Sequence, residues 1–272
     1  IAGGALFFGA LWIADQFGPR QAWLLILGGA LGLALYHAGF GFTSGWRSFI
    51  RERRGEGLRA QLVLLGLASV VILPAVSAGF VFGEPVIGAI APLSVSLIFG
   101  AALFGFGMQL GGGCGSGTLY TVGGGNVRML VTLAAFIAGS LIGSFHLPWW
   151  EAQAALEALA LGESFGAAEA VLMQLLLLAA IYQLSLWLER KRHGSAAERA
   201  QVAPREILPR LIKGPWPPLW GAIALALLSF ATLAIAGHTW SVTFAFGLWG
   251  AKFFAALGAP IASFEFWTWP YP

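Results

Sequence analysis

Five long apolar stretches constrain this chain more than any other feature. They run over roughly 60–82, 92–110, 127–146, 168–188 and 216–236, each about 20 residues long and nearly free of charge. A run of that length is what a helix needs to cross the ~30 Å hydrocarbon core of a bilayer. A water-soluble fold would have to leave several such stretches exposed. Only 10% of the residues are charged and 58% are hydrophobic, where a typical soluble domain carries about 25% charged residues. Barrel strands would alternate over ~10-residue segments, and these runs are instead continuous and rich in Leu, Ala and Gly. The expectation is an all-α polytopic membrane protein in the lipid bilayer.

Two shorter apolar segments, 3–14 and 21–36, read as a truncated and a partial helix. Two more, 39–50 and 240–257, combine Gly with aromatic residues and read as short re-entrant helices. Charge supplies an orientation. Residues 51–59 carry Arg51, Arg53, Arg54 and Arg59; residues 189–213 carry Arg190, Lys191, Arg192, Arg199, Arg205, Arg210 and Lys213. Four predicted spans separate the two loops, so both fall on one side, and the positive-inside rule makes that side cytoplasmic. The intervening loops agree: 83–91 holds Glu84 and 147–167 holds Glu151, Glu157 and Glu163, with no Lys or Arg. The net charge of +3 is therefore an orientation signal rather than a sign of nucleic-acid binding. Segment 151–161, after Trp149 and Trp150, reads as an interfacial helix by propensity.

The segments Phe40–Phe49 and Trp240–Lys252 each follow an apolar helix and each end near a basic residue. This faint repeat suggests two related halves with broken helices in corresponding positions. The expected organisation is a first half over 1–192, a cytoplasmic linker over 193–210 containing Pro204 and Pro209, and the start of a second half over 211–272. The ends, Ile1-Ala-Gly-Gly and Trp-Thr-Trp-Pro-Tyr-Pro272, look cut rather than finished.

The best candidate site is Gly111-Gly-Gly-Cys114-Gly-Ser-Gly-Thr-Leu-Tyr120 with Gly123–Gly125 beyond it. Glycine disfavours helix by ~1 kcal/mol against alanine, so the backbone should break here. In lipid, such a break is tolerated only under protein cover or beside a watery cavity. A half-helix beginning near Ser116 would aim free N–H groups into the break, with an effective charge of about +0.5. That is a way to hold an anion without a fixed cation, which would cost ~2.5–3.5 kcal/mol or more at the bilayer centre. Gly112, Gly113, Gly115 and Gly117 permit close backbone approach. Ser116, Thr118 and Tyr120 add hydroxyl donors. Cys114 adds a soft, polarizable S–H group suited to sulfur.

Bland readings stand beside this one. Glycines also serve helix packing, and a buried cysteine is usually a small hydrophobe. No Gly-Lys-Ser/Thr follows the glycines, which argues against a phosphate loop. One cysteine excludes an internal disulfide and a Cys-rich metal site, and no cofactor is indicated. Arg47 and Lys252 close the two re-entrant candidates, where they either attract anions or snorkel at the interface. His37 and His238 read as interface residues. Asn126 reads as a helix cap. Gln109 faces a pore or satisfies freed backbone.

The 111–125 motif, together with Trp240-Ser-Val-Thr243-Phe-Ala-Phe-Gly-Leu-Trp-Gly-Ala-Lys252, resembles the YeeE/YedE family of sulfur-compound transporters over roughly 20–257. The resemblance implies a pseudo-two-fold, hourglass-like inner-membrane protein whose short half-helices meet near mid-membrane. It implies a permease, not an enzyme, passing a small sulfur-containing anion such as thiosulfate along cysteine thiols, with a cytoplasmic sulfur-carrier protein as a possible partner. Cys114 matches the family's Gly-Gly-Gly-Cys position, and Thr243 lies in the second-half motif. Gly41 stands where members often carry a cysteine, and the later Gly-Cys motif is absent, so a three-thiol relay does not carry over. The alternatives are a membrane thiol redox or sulfur-carrier subunit using Cys114 as nucleophile, and a non-transporting paralogue.

Overall fold

The computed structural model describes residues 2–195 and 207–269. The expected Arg199, Pro204, Arg205 and most of the 193–210 linker lie outside the described residues. The chain is almost entirely helical in these parts. In order it forms α1 (Ala2–Phe17), α2 (Pro19–Ala38), α3 (Phe42–Glu52), α4 (Glu56–Ala78), α5 (Val95–Gly111), α6 (Gly115–Gly123), α7 (Arg128–Glu151), α8 (Leu161–Phe165), α9 (Ala167–His193), α10 (Ile207–Lys213), α11 (Pro218–Ala236) and α12 (Thr243–Ala256). Two short 3-10 turns follow, at Ile261–Ser263 and Glu265–Thr268. Among the described residues, six helical segments are long and apolar enough to cross a membrane: Pro19–Glu52, Glu56–Ala78, Val95–Gly123, Arg128–Glu151, Ala167–His193 and Pro218–Ala236. The chain is a multi-pass, all-α membrane protein.

Local chemistry sets most boundaries. Pro19 opens α2, where a missing N–H is harmless. The Ser94 hydroxyl accepts the Leu97 N–H and caps α5. Asn126 Oδ1 accepts the Arg128 N–H at 3.1 Å, so the expected cap forms. Glycine in the left-handed region ends α2 at Gly39, α4 at Gly79 and α11 at Gly237.

Several expectations need correction. Residues 79–82 are not the end of α4. Gly79 stops the helix, and Phe80–Val81 pairs antiparallel with Glu84–Pro85. The turn between them is Phe82-Gly83, both at positive φ, as a two-residue hairpin requires. The interfacial helix over 151–161 does not form. α7 stops at Glu151, and the chain then runs beside the start of α5. Val95 donates to the Ala154 carbonyl at 3.0 Å and Leu156 donates to the Leu93 carbonyl at 2.8 Å. Tertiary backbone pairing outweighs alanine's helix propensity there. The basic loops are also shorter than expected. Arg51 lies in α3, Arg59 in α4, residues 189–193 extend α9, and Arg210 and Lys213 lie in α10.

The chain divides into two compact units, one of residues 1–90 and 160–240, the other of 91–159 and 241–272. In the first, α11 packs on α2 and α4, α9 on α4, and α1 on α2. Leu233, Val81 and Val86 are buried beside Ile72, Val76 and Phe230, so the hairpin closes the end of the α4–α11 pair. Arg20 Nε donates to the Ile235 carbonyl at 2.7 Å, satisfying a free acceptor at the end of α11. His37 stacks on Trp216 with ring centroids 5.6 Å apart.

In the second unit, α12 and α6 both pack on α7. Leu141, Ala251 and Ile261 form the core with Phe145 and Trp267. Trp267 Nε1 donates to Ser144 Oγ at 3.0 Å, and Phe145 stacks on Phe264. α5 has no buried residue. Its Leu, Ile and Phe side chains face outward, which hydrocarbon accepts and water does not.

Candidate functional site

The glycine–cysteine segment does break the helix. Gly112 ends α5 at φ 77, Cys114 is extended at φ −80 and ψ −176, and α6 starts at Gly115. Only glycine adopts the left-handed turn at 112 without strain. Cys114 is the N-cap residue of α6, and no side chain caps that helix. The first-turn N–H groups of α6 therefore have no side-chain acceptor. The Thr118 N–H returns to the Cys114 carbonyl at 2.8 Å. The Cys114 thiol is half-buried, 3.6 Å from Ser116 Oγ.

The surrounding glycines have different duties. A methyl on Gly115 would lie 3.2 Å from the Phe246 ring, with Val242 and Thr243 next nearest. Gly115 is thus small so that the start of α12 can rest on it, which also brings Thr243 to the break. A methyl on Gly113 would meet Met129 and the Thr118 hydroxyl at 3.2 Å, and one on Gly117 would meet Cys114 Sγ at 3.4 Å. Gly113, Gly115 and Gly117 are buried, Gly112 is exposed, and Ser116 and Tyr120 are half-buried. Thr118 is fully buried, and its hydroxyl has no hydrogen-bond partner. Thr121 Oγ1 donates to the Gly117 carbonyl at 2.7 Å, and Thr132 Oγ1 donates to the Gly111 carbonyl at 3.3 Å. Both satisfy backbone acceptors near the break. Beside it, an apolar cleft of about 680 Å³ between α5 and α7 reaches Gly111 and Thr132.

Gly41 belongs to the other compact unit. It is the extended N-cap of α3 and lines a cavity of about 170 Å³ with Ser44, Ser48, Gly57 and Gln61. Gln61 Nε2 donates to the Gly41 carbonyl at 3.2 Å and to the Phe42 carbonyl at 3.4 Å. Gly45 and Gly57 touch where α3 crosses α4: a methyl on Gly57 would lie 3.0 Å from the Gly45 Cα. Arg47 is exposed on α3, and Lys252 is exposed on α12 in the second unit.

Sequence reasoning missed Glu189, Ser185 and Gln61. Glu189 is fully buried, 2.6 Å from Arg59 Nη1, whereas the sequence shows few acids at membrane depth and places Arg59 in a solvated loop. The available signal was an acidic residue directly before the basic run Arg190-Lys-Arg192. Gln61, a polar residue at the head of an apolar run, carried a similar signal. No cluster of metal-ligating side chains is present among the described residues.

Curated proteins of similar sequence are named as transporters. The chain is 28% identical over 202 residues to the probable transporter YedE of Escherichia coli (strain K12), covering 72% of this chain and 48% of that protein. It is 29% identical over 118 residues to the thiosulfate transporter TsuA of the same organism, covering 43% of this chain and 32% of that protein. The aligned regions thus span less than half the length of either relative. The profile of the sulphur-transport family matches residues 37–271. That match takes in both the glycine–cysteine break and the Gly41 turn, and the chain belongs to the sulphur-transport family.

Proposed function

We propose that the chain is part of an inner-membrane permease, not an enzyme, for a small sulfur-containing anion such as thiosulfate. One observation carries this reading: Cys114 stands as N-cap of α6 with a half-buried thiol and no side-chain cap on the helix. A helix N-terminus without a capping side chain offers N–H groups and positive potential to an anion. The thiol adds a weak donor and a polarizable surface for sulfur. The thiosulfate assignment of one relative supports the choice of cargo.

In this reading the anion meets Gly112, Cys114 and Ser116 first. Gly113, Gly115 and Gly117 let α6, α7 and α12 close around the break, with Thr243 held beside it. Thr118 lies deeper, and it and the half-buried Tyr120 contribute hydroxyls after a small shift of backbone or side chain. Gly41 and its cavity, in the segment that the faint repeat pairs with the Thr243 segment, form a second stretch of the path. Arg47 and Lys252 raise the local anion concentration. The basic segments 51–59 and 189–213 belong on the cytoplasmic side in this reading, where a sulfur-carrier protein would receive the anion. In this reading 1–192 and 211–272 belong to two related halves, with α3, α6 and α12 as re-entrant half-helices.

The test is uptake of labelled thiosulfate into proteoliposomes. Cys114→Ala should insert and fold normally yet lose most uptake. Undiminished uptake of thiosulfate, sulfite and sulfate alike in that variant would remove the thiol from the mechanism.

A further inference from the structure

The last turns of α9 grip the corner between α3 and α4. One carboxylate oxygen of the buried Glu189 is 2.6 Å from Arg59 Nη1 and accepts the Gly55 backbone N–H at 3.3 Å. The other oxygen lies 3.6 Å from Arg54 Nη1. Arg59 also donates to Ser185 Oγ, one turn earlier on α9. A methyl at Gly55 would collide with both Ser185 Oγ and Arg59 Nη1, so the corner fits closely. One turn beyond Glu189, His193 Nε2 lies 2.7 Å from the Glu52 carbonyl oxygen. The end of α9 thus touches the last residue of α3 and the first turn of α4 together.

α3 packs chiefly on α4. Its position rests on the Gly45–Gly57 crossing, on Gln61 holding the Gly41 and Phe42 carbonyls, and on this corner. Of these, Gly41, Gly45, Gly57 and Gln61 line the cavity at Gly41, and the corner residues do not touch it. An apolar pair would support the packing as well as a buried ion pair does. Two buried charges with directional partners instead favour one orientation of the corner, because any other leaves a charge unpaired.

We propose that Glu189 and Arg59 are positioning residues: they hold α3 against α4 and so set the width of the cavity at Gly41. Their effect on transport rests on the reading that this cavity lies on the anion's path. The pair does not touch the anion; it acts through α3.

Two readouts separate the parts of this proposal. The first is the rate at which a water-soluble thiol reagent modifies a Ser44→Cys variant in a Cys114→Ala background. The second is the concentration dependence of thiosulfate uptake with Cys114 intact. Both are measured with Glu189→Gln, with Glu189→Asp, and with the double variant Arg59→Met/Glu189→Met, which strands no charge if the single change fails to fold. Loosening the corner should speed labelling about 3- to 30-fold, the range of couplings that packed networks carry. KM for thiosulfate should rise while Vmax per folded protein holds, and Glu189→Asp should recover much of both. A change of less than about twofold in labelling of the folded double variant overturns the positioning role. Faster labelling with unchanged uptake upholds the positioning role and removes Gly41 from the path.

Discussion

At Cys114 and its neighbours, single atoms decide what a substitution does. Gly112→Ala forces a side chain into the left-handed region at φ 77 and should destabilise by about 1 kcal/mol. Gly115→Leu is worse, because a single methyl already reaches 3.2 Å from Phe246; overpacking of that kind costs about 1–3 kcal/mol or more. Thermal unfolding in detergent should therefore rank Gly115→Leu below Gly112→Ala, and the reverse order would contradict the packing described. Glu189→Ala leaves Arg59 buried and unpaired, a loss of about 3–5 kcal/mol, while the Met/Met double variant should recover most of it. The same unfolding measurement checks that pair. Sequence alone singled out Cys114, because an isolated thiol among glycines in an apolar chain is conspicuous. It gave no way to sort the glycines, since Phe246, Met129 and Thr118 are what distinguish their roles.

Among the elements, the α3–α4 crossing is the most demanding. Gly45 and Gly57 meet backbone to backbone, as small residues do where helices approach closely. Gly57→Ala should push α3 away from α4 and raise amide exchange along Phe42–Glu52 more than along α7. Equal protection in both variant and parent would mean that α3 is held by something other than this crossing. The breaks between elements were legible beforehand at two places where the cause is local: the glycines beside Cys114 and Asn126 at the start of α7. Residues 152–160 were not legible. Their alanines favour helix, and only their hydrogen bonds to 93–95 show why they are extended.

Across the whole molecule, α4 sets a scale. Its 23 residues extend about 35 Å at 1.5 Å per residue, enough to carry the Arg53–Gly55 corner and the Phe80–Pro85 hairpin to opposite faces of a bilayer. In a Cys114→Ala background, an impermeant reagent should label Arg53→Cys from the cytoplasmic side alone and Glu84→Cys from the other side alone. Labelling of both from one side would overturn the orientation read from the basic residues. The outward apolar surface of α5, with Leu110 at 88% exposure, belongs to the same picture: hydrocarbon takes the place of a covering layer there.

The sequence by itself determined that this is a helical membrane protein, where its apolar runs lie, and that the chain breaks beside Cys114. Those properties depend on side-chain hydropathy and on the backbone freedom of neighbouring residues, which a linear reading contains. Only the tertiary structure decided that Glu189 is sealed against Arg59, that Gly115 supports α12, and that 152–160 pairs with 93–95. Each of those depends on a partner remote in sequence, whose approach sets the local dielectric, the free space and the available hydrogen bonds.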